Sequence, residues 1–82
     1  MSAKLKVTVL SRDERIFEDW ALSLSSKNSL GNLDIYPGHI NFVATIIERV
    51  AIDLENKKTK EISFDNAILK VKNDEVEIFL GI

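Results

Sequence analysis

Eighty-two residues are enough for one domain and close to the lower limit for burying a core unaided, and without cysteine neither disulfides nor thiolate-bound metal can help. Hydrophobic residues, 45% of the chain, must therefore carry the stability. Charged residues make up 29%, with both signs interleaved and a formal net charge of −2, which argues against the concentrated basic face that nucleic-acid binding needs.

Residues 1–4 run straight into an alternating pattern with no apolar stretch of signal-peptide length, so the expectation is a soluble, intracellular protein that can still sit on a membrane complex. In residues 4–10, Leu5, Val7 and Val9 alternate with Lys4, Lys6 and Thr8, the mark of a half-buried strand. Residues 11–24 admit two readings. Ser11 with Glu14 makes a capping box, and Ile16, Phe17, Trp20, Ala21 and Leu24 recur at helical spacing, so pattern alone leans towards a helix. The competing reading is two short strands, residues 15–18 and 21–25, the second with Leu22 and Leu24 alternating against Ser23 and Ser25.

A polar turn follows, with Lys27, Asn28 and Ser29 in it and Gly31 free to take a positive φ, and then a short strand in which Leu33 and Ile35 alternate with Asp34 and Tyr36. Pro37 and Gly38 suit the central positions of a tight turn, and a residue before proline is pushed towards extended backbone. The apolar residues 42–47 predict a strand covered on both faces, and the whole run 40–47 is far too short to cross a membrane. Val50, Ile52 and Leu54 then alternate with Ala51 and Asp53. A polar loop at residues 56–59 leads to Ile62 and Phe64, a turn at Asp65 and Asn66, the pair Leu69 and Val71, a turn at Asn73 and Asp74, and finally Val76, Ile78 and Leu80. Short strands separated by polar turns about every ten residues predict a single all-β domain over residues 1–82, a sandwich or barrel.

His39 is the one side chain suited to proton chemistry near neutral pH, yet no nucleophile or orienting carboxylate stands at a spacing that marks a site, so it is read as structural or interfacial. Trp20 is placed in the core, the alternative being an exposed interface anchor. Glu14, Glu18 and Asp19 are flanked by Arg12 and Arg15 and form a charge-balanced surface rather than a cation site. Gly31, Gly38 and Gly81 are too scattered to cradle a phosphate, so neither a cofactor nor a metal is expected.

The run Ile35-Tyr36-Pro37-Gly38-His39, with Phe42-Val43 soon after, resembles the signature of the epsilon subunit of F-type ATP synthases, in its N-terminal β-sandwich domain. The resemblance extends over almost the whole chain. Residues 5–10 look like the family's opening strand, Arg15-Ile16-Phe17-Glu18 like its second, extended segment, and residues 73–80 like its final strand, so it implies strands rather than a helix in residues 11–24. Residues 39–44 are similar to a variant, often sodium-linked, branch. Asp34, Arg49 and Asn66-Ala67 stand where relatives carry glycines, so local turns there are expected to differ.

The resemblance implies a flattened antiparallel β-sandwich or barrel of short strands. It further implies a non-catalytic rotor subunit on the cytoplasmic face of the cell membrane, joined to the membrane only through its complex and coupling ion-driven rotation to ATP synthesis or hydrolysis. Ser11, His39, Ile40, Asn41 and Ala44 are then expected to face the gamma subunit, and Lys27, Asn28, Ser29, Leu30, Gly31 and Asn32 the c ring. In the family a C-terminal helical hairpin usually follows this domain and can inhibit hydrolysis or bind ATP. Residues 1–82 hold the sandwich without it. The alternative function is a freestanding β-sandwich interaction module without a rotor role.

Overall fold

Alternation in the first strand, β1 (Leu5–Leu10), puts Leu5, Val7 and Val9 wholly out of solvent, and the pattern is answered by five further strands. The computed structural model describes residues 4–38 and 41–81. These strands are β2 (Arg15–Asn28), β3 (Gly31–Ile35), β4 (Phe42–Leu54), β5 (Thr59–Lys72) and β6 (Glu75–Leu80), with a 3-10 turn at Glu55–Lys57. Their order is β1-β6-β5-β4-β2-β3, and β1 also pairs with β2, so five strands close into a ring with β3 appended. Neighbours are antiparallel except β1 and β6, the first strand and the last, which run parallel.

The fold class is the one expected, but β2, β4 and β5, at 14, 13 and 14 residues, are not short. Each is shared between two layers. The first half of β2 pairs with β1, while its second half pairs with β3 and β4. The first half of β4 pairs with the last residues of β5, and its second half with both the first residues of β5 and β2. Corners of this kind, made by strands that pass between sheets at bulges or bends, join the layers around one core.

Three register shifts mark the irregular points, and in each one residue has no partner: Ile16 opposite the step from Val9 to Leu10, Leu22 between Ala21 and Ser23, and Asp65 opposite the step from Ile47 to Glu48. A bulge inserts one residue and shifts the alternation that follows. So Ala21 and Leu24 are both buried although three positions apart, and Ile16 and Leu22 are left about half exposed. In β5, Phe64 packs on the core and the next inward residue is Ala67. The two short strands expected in residues 15–25 are therefore one bulged strand, continuing through Lys27 and Asn28 where a turn was expected, and Asp65 with Asn66 is a bulge rather than a turn. The helical leaning fails because apolar side chains around a bulge imitate a three-to-four-residue period.

Residues 42–47 are covered on one side only. Ile46 is fully buried and Phe42 packs against the core, while Val43 is 66% exposed, because this half of β4 has β5 beside it and solvent over its outer face. Where the resembled family carries glycines, Asp34, Arg49 and Asn66 all lie within strands, and the left-handed residue next to Arg49 is Glu48, at φ 72°.

Ile78 sits at the middle of an inward row that runs Ala44, Leu69, Ile78, Val9, Phe17 across five strand segments. Ile78→Ala is expected to cost about 2–5 kcal/mol in urea unfolding, a large part of a small domain's stability. Glu48→Gly is expected to raise stability by about 1 kcal/mol in the same assay, the relief of a left-handed non-glycine outweighing one exposed ion pair with Lys27.

Candidate interaction surface

The outer face of the first layer is built by register. One row carries Val43, Lys70, Glu77, Thr8 and Glu18; the next carries Thr45, Ile68, Phe79 and Leu10; a third carries Lys72, Glu75, Lys6 and Trp20. Opposite charges stand directly across from one another at Lys70 and Glu77 and at Lys72 and Glu75, the arrangement that favours cross-strand pairing. Glu18 is bridged by Arg15 at 3.1 Å and Lys6 at 3.7 Å, and the Lys6 ammonium lies 5.1 Å from the centre of the Trp20 ring. Ile68, Phe79 and Leu10 make an apolar row at one end of this face, half buried by their neighbours, and Val43, in the row beside it, extends the exposed apolar surface to the sheet edge.

Trp20 is thus not a core residue. It is 51% exposed, because Ala21 takes the inward position and the preceding side chain must point out, where Lys6 stacks on it.

The second layer presents the β2–β3 hairpin, whose two-residue loop is Ser29 and Leu30. Asn28 Oδ1 accepts the Leu30 N–H at 2.8 Å, an Asx turn that holds the loop, and Leu30 is 94% exposed at its tip. Gly31 follows at φ 138°. Lys27 is held by Glu48 at 2.8 Å, and Asn32 faces Lys27 across the hairpin. A polar hollow of about 230 Å³ lies beside them, lined by Ser25, Ser26, Lys27, Asn32, Asp34, Arg49 and Ala51. Two of its polar side chains are engaged: Ser26 Oγ donates to the Arg49 carbonyl at 2.7 Å and the Arg49 guanidinium pairs with Glu61 at 2.7 Å. The Ser26 hydroxyl, committed to a carbonyl, has no base to activate it.

Of the residues expected at a gamma contact, Ser11 lies in the β1–β2 turn, its N–H and Oγ both donating to the Glu14 carbonyl, at 2.8 and 3.2 Å. The Ser11–Glu14 pair is therefore a turn, not a helix cap. Asn41 is exposed at the start of β4, near the β5–β6 turn, and so lies at the opposite end of the face from Ser11. Ala44 shares the inward phase of Phe42 and Ile46, so Val43 and Thr45 are the side chains that this strand presents. His39 and Ile40 lie outside the described residues. Pro37 and Gly38 form the expected turn, with Gly38 at φ 85°. Asp74, which sequence reading treated only as turn filler, accepts the Gly38 N–H on Oδ1 at 2.7 Å. The signal was the Asn-Asp pair itself, since both residues take positive φ, as a two-residue hairpin loop demands. Among the described residues, no group of three or more His, Asp or Glu is placed to hold a metal ion.

Fold and surface together define a small closed β-sandwich that offers extended sheet faces and a projecting hairpin. The chain belongs to the family of the ATP synthase delta/epsilon chain, beta-sandwich domain, whose family model matches residues 4–80. It is 27% identical over 84 residues to an ATP synthase epsilon chain of Clostridium kluyveri, with all of this chain covering 63% of that one. To an ATP synthase epsilon chain of Mycobacterium tuberculosis it is 30% identical over 78 residues, 93% of this chain and 64% of that one. The chain therefore spans a little under two thirds of these relatives' length. Among solved structures, a chain of the Euglena gracilis mitochondrial ATP synthase OSCP/F1/c-ring assembly matches with a TM-score of 0.88 at 17% identity, covering 98% of this chain and 52% of that one. A chain of the Tetrahymena thermophila mitochondrial ATP synthase central stalk and c ring matches with a TM-score of 0.76 at 13% identity, covering 96% and 64%.

Trp20 is the only tryptophan, so its surroundings can be read directly. Its fluorescence is expected to be red-shifted and readily quenched by acrylamide in the folded protein; blue-shifted, protected emission would put the ring in the core.

Proposed function

We propose that this chain is the β-sandwich of an epsilon subunit in the central stalk of an F-type ATP synthase, a non-catalytic clamp between the gamma subunit and the c ring. The match of the family model over residues 4–80 carries this reading. The relatives bear the epsilon-chain name over the same span, and solved structures of the same fold come from F1 and c-ring assemblies.

The geometry suits the task. Transmitting torque needs a stiff body that contacts two partners at separate places. The closed ring supplies stiffness, and the outer face of the first layer and the β2–β3 hairpin of the second supply two separate surfaces. The gamma subunit takes the first, through Ser11, Asn41, Val43 and Thr45, with His39 and Ile40 between the described segments and Ala44 beneath. The c ring takes the hairpin from Lys27 to Asn32, where an uncharged loop with Leu30 at its apex enters between polar loops. Rotation driven by ion flow through the membrane sector then reaches the catalytic subunits through this contact, on the cytoplasmic face of the membrane.

Size-exclusion co-elution with the gamma subunit of the same organism, followed by addition of the c ring, tests the proposal. A ternary complex is expected. Val43→Asp is expected to weaken gamma binding at least about tenfold at unchanged far-UV circular dichroism, and Leu30→Asp to spare gamma and lose the c ring. No complex from a folded chain would favour the freestanding interaction module.

A further inference from the structure

Three separate segments converge on the two-residue turn between β5 and β6. The Asp74 carbonyl accepts the Lys6 N–H at the start of β1, at 2.9 Å. The Asp74 carboxylate accepts the Gly38 N–H through Oδ1 at 2.7 Å. The Asn73 N–H donates to Asn41 Oδ1 at 2.9 Å. Gly38 and Asn41 thus hang on adjacent residues of one turn. Asp74 is half buried, and its left-handed backbone, φ 64°, aims its side chain back at the proline turn rather than along the hairpin.

We infer that Asp74 is a positioning residue: its carboxylate oxygen latches Gly38 to the β5–β6 turn, beside the bond from the Asn73 N–H to Asn41, and so presets the sheet edge at Asn41 and Val43 for its partner. This rests on the gamma-facing reading of that edge. Among the described residues, the hydrogen bond that ties Gly38 to the body of the sandwich is the one to Asp74, and β4 at this point has β5 on one side and its outer face in solvent. An edge without the latch must be ordered when the partner arrives, and that ordering is drawn from the affinity. What the site needs at position 74 is an acceptor on a residue content with positive φ. Both Asp and Asn meet that need; Gly meets only the second part.

The test uses that difference on the whole chain. D74G keeps the turn and deletes the acceptor, whereas D74N keeps both and removes the charge. Hydrogen exchange of the Gly38 amide is expected to accelerate strongly in D74G and to stay near wild type in D74N. Affinity for the gamma subunit is expected to fall about tenfold in D74G and to change by less than about twofold in D74N, with similar melting temperatures for the two. Unchanged Gly38 exchange in D74G would overturn the latch. Unchanged gamma affinity in D74G, with wild type binding, would overturn its role in positioning. Equal loss in D74N would make the charge the operative feature and overturn the inference as well. Failure of the wild type to bind gamma would instead strike the functional reading on which the role depends, and the exchange measurement would still decide the latch.

Discussion

Side chains on a β-strand alternate with a period of two, so a strand that lends its inner face to two layers must stay in phase with both. This chain meets that constraint in β2 and β5 by inserting single unpaired residues, and in β4 by a left-handed backbone at Glu48. Everything else hangs on these adjustments. Without the bulge at Leu22, regular alternation from Ala21 would bring Ser23 rather than Leu24 inward, and the core would lose one of its large fully buried side chains. The half-exposed Leu22 and Ile16 are the cost of that phase, and they need no ligand to explain them.

Closure does the work that cysteines do in other domains of this size. Linking β1 to both β2 and β6 lets five strands satisfy one another's backbone groups, and the short β3, five residues with Gly31 and Asp34, is left as an edge that is a poor template for further pairing. The ion pairs at Lys4–Glu55, Lys6–Glu18, Arg15–Glu18, Lys27–Glu48 and Arg49–Glu61 all join partly exposed groups and add little to stability. Their use is local: Lys27 with Glu48 braces the hairpin where β2 and β4 part company, and Lys6 holds the Trp20 ring against the sheet.

Much of the architecture was legible because most of the chain alternates. Leu5, Val7 and Val9, then Val50 and Ile52, then Val76 and Ile78, were read as inward and are fully buried. The errors cluster at bulges. Residues 15–25 looked helical or broken, and Asp65 looked like a turn, because a bulge leaves no residue signature as firm as the glycine or proline of a turn. Val43 and Trp20 were assigned to covered positions because hydrophobicity says nothing about whether a face has a neighbour. The candidate surface was legible only in part for a related reason. Ser29, Leu30 and Asn41 are exposed, but that Ala44 turns inward, and that Asp74 reaches back to Gly38, depends on pairing between segments far apart in sequence.

The parallel pairing of β1 with β6 has a consequence for how the molecule comes into being. During synthesis the opening strand leaves the ribosome first and can form a hairpin with β2, but its second edge stays open until the closing strand has been made. The barrel therefore cannot shut in stages. It waits for β6 and then seals in a step governed by a long loop closure, with exposed strand edges in the interval. A chain interrupted anywhere before residue 75 is a set of open sheets, and the quality-control machinery of the cell meets it as such.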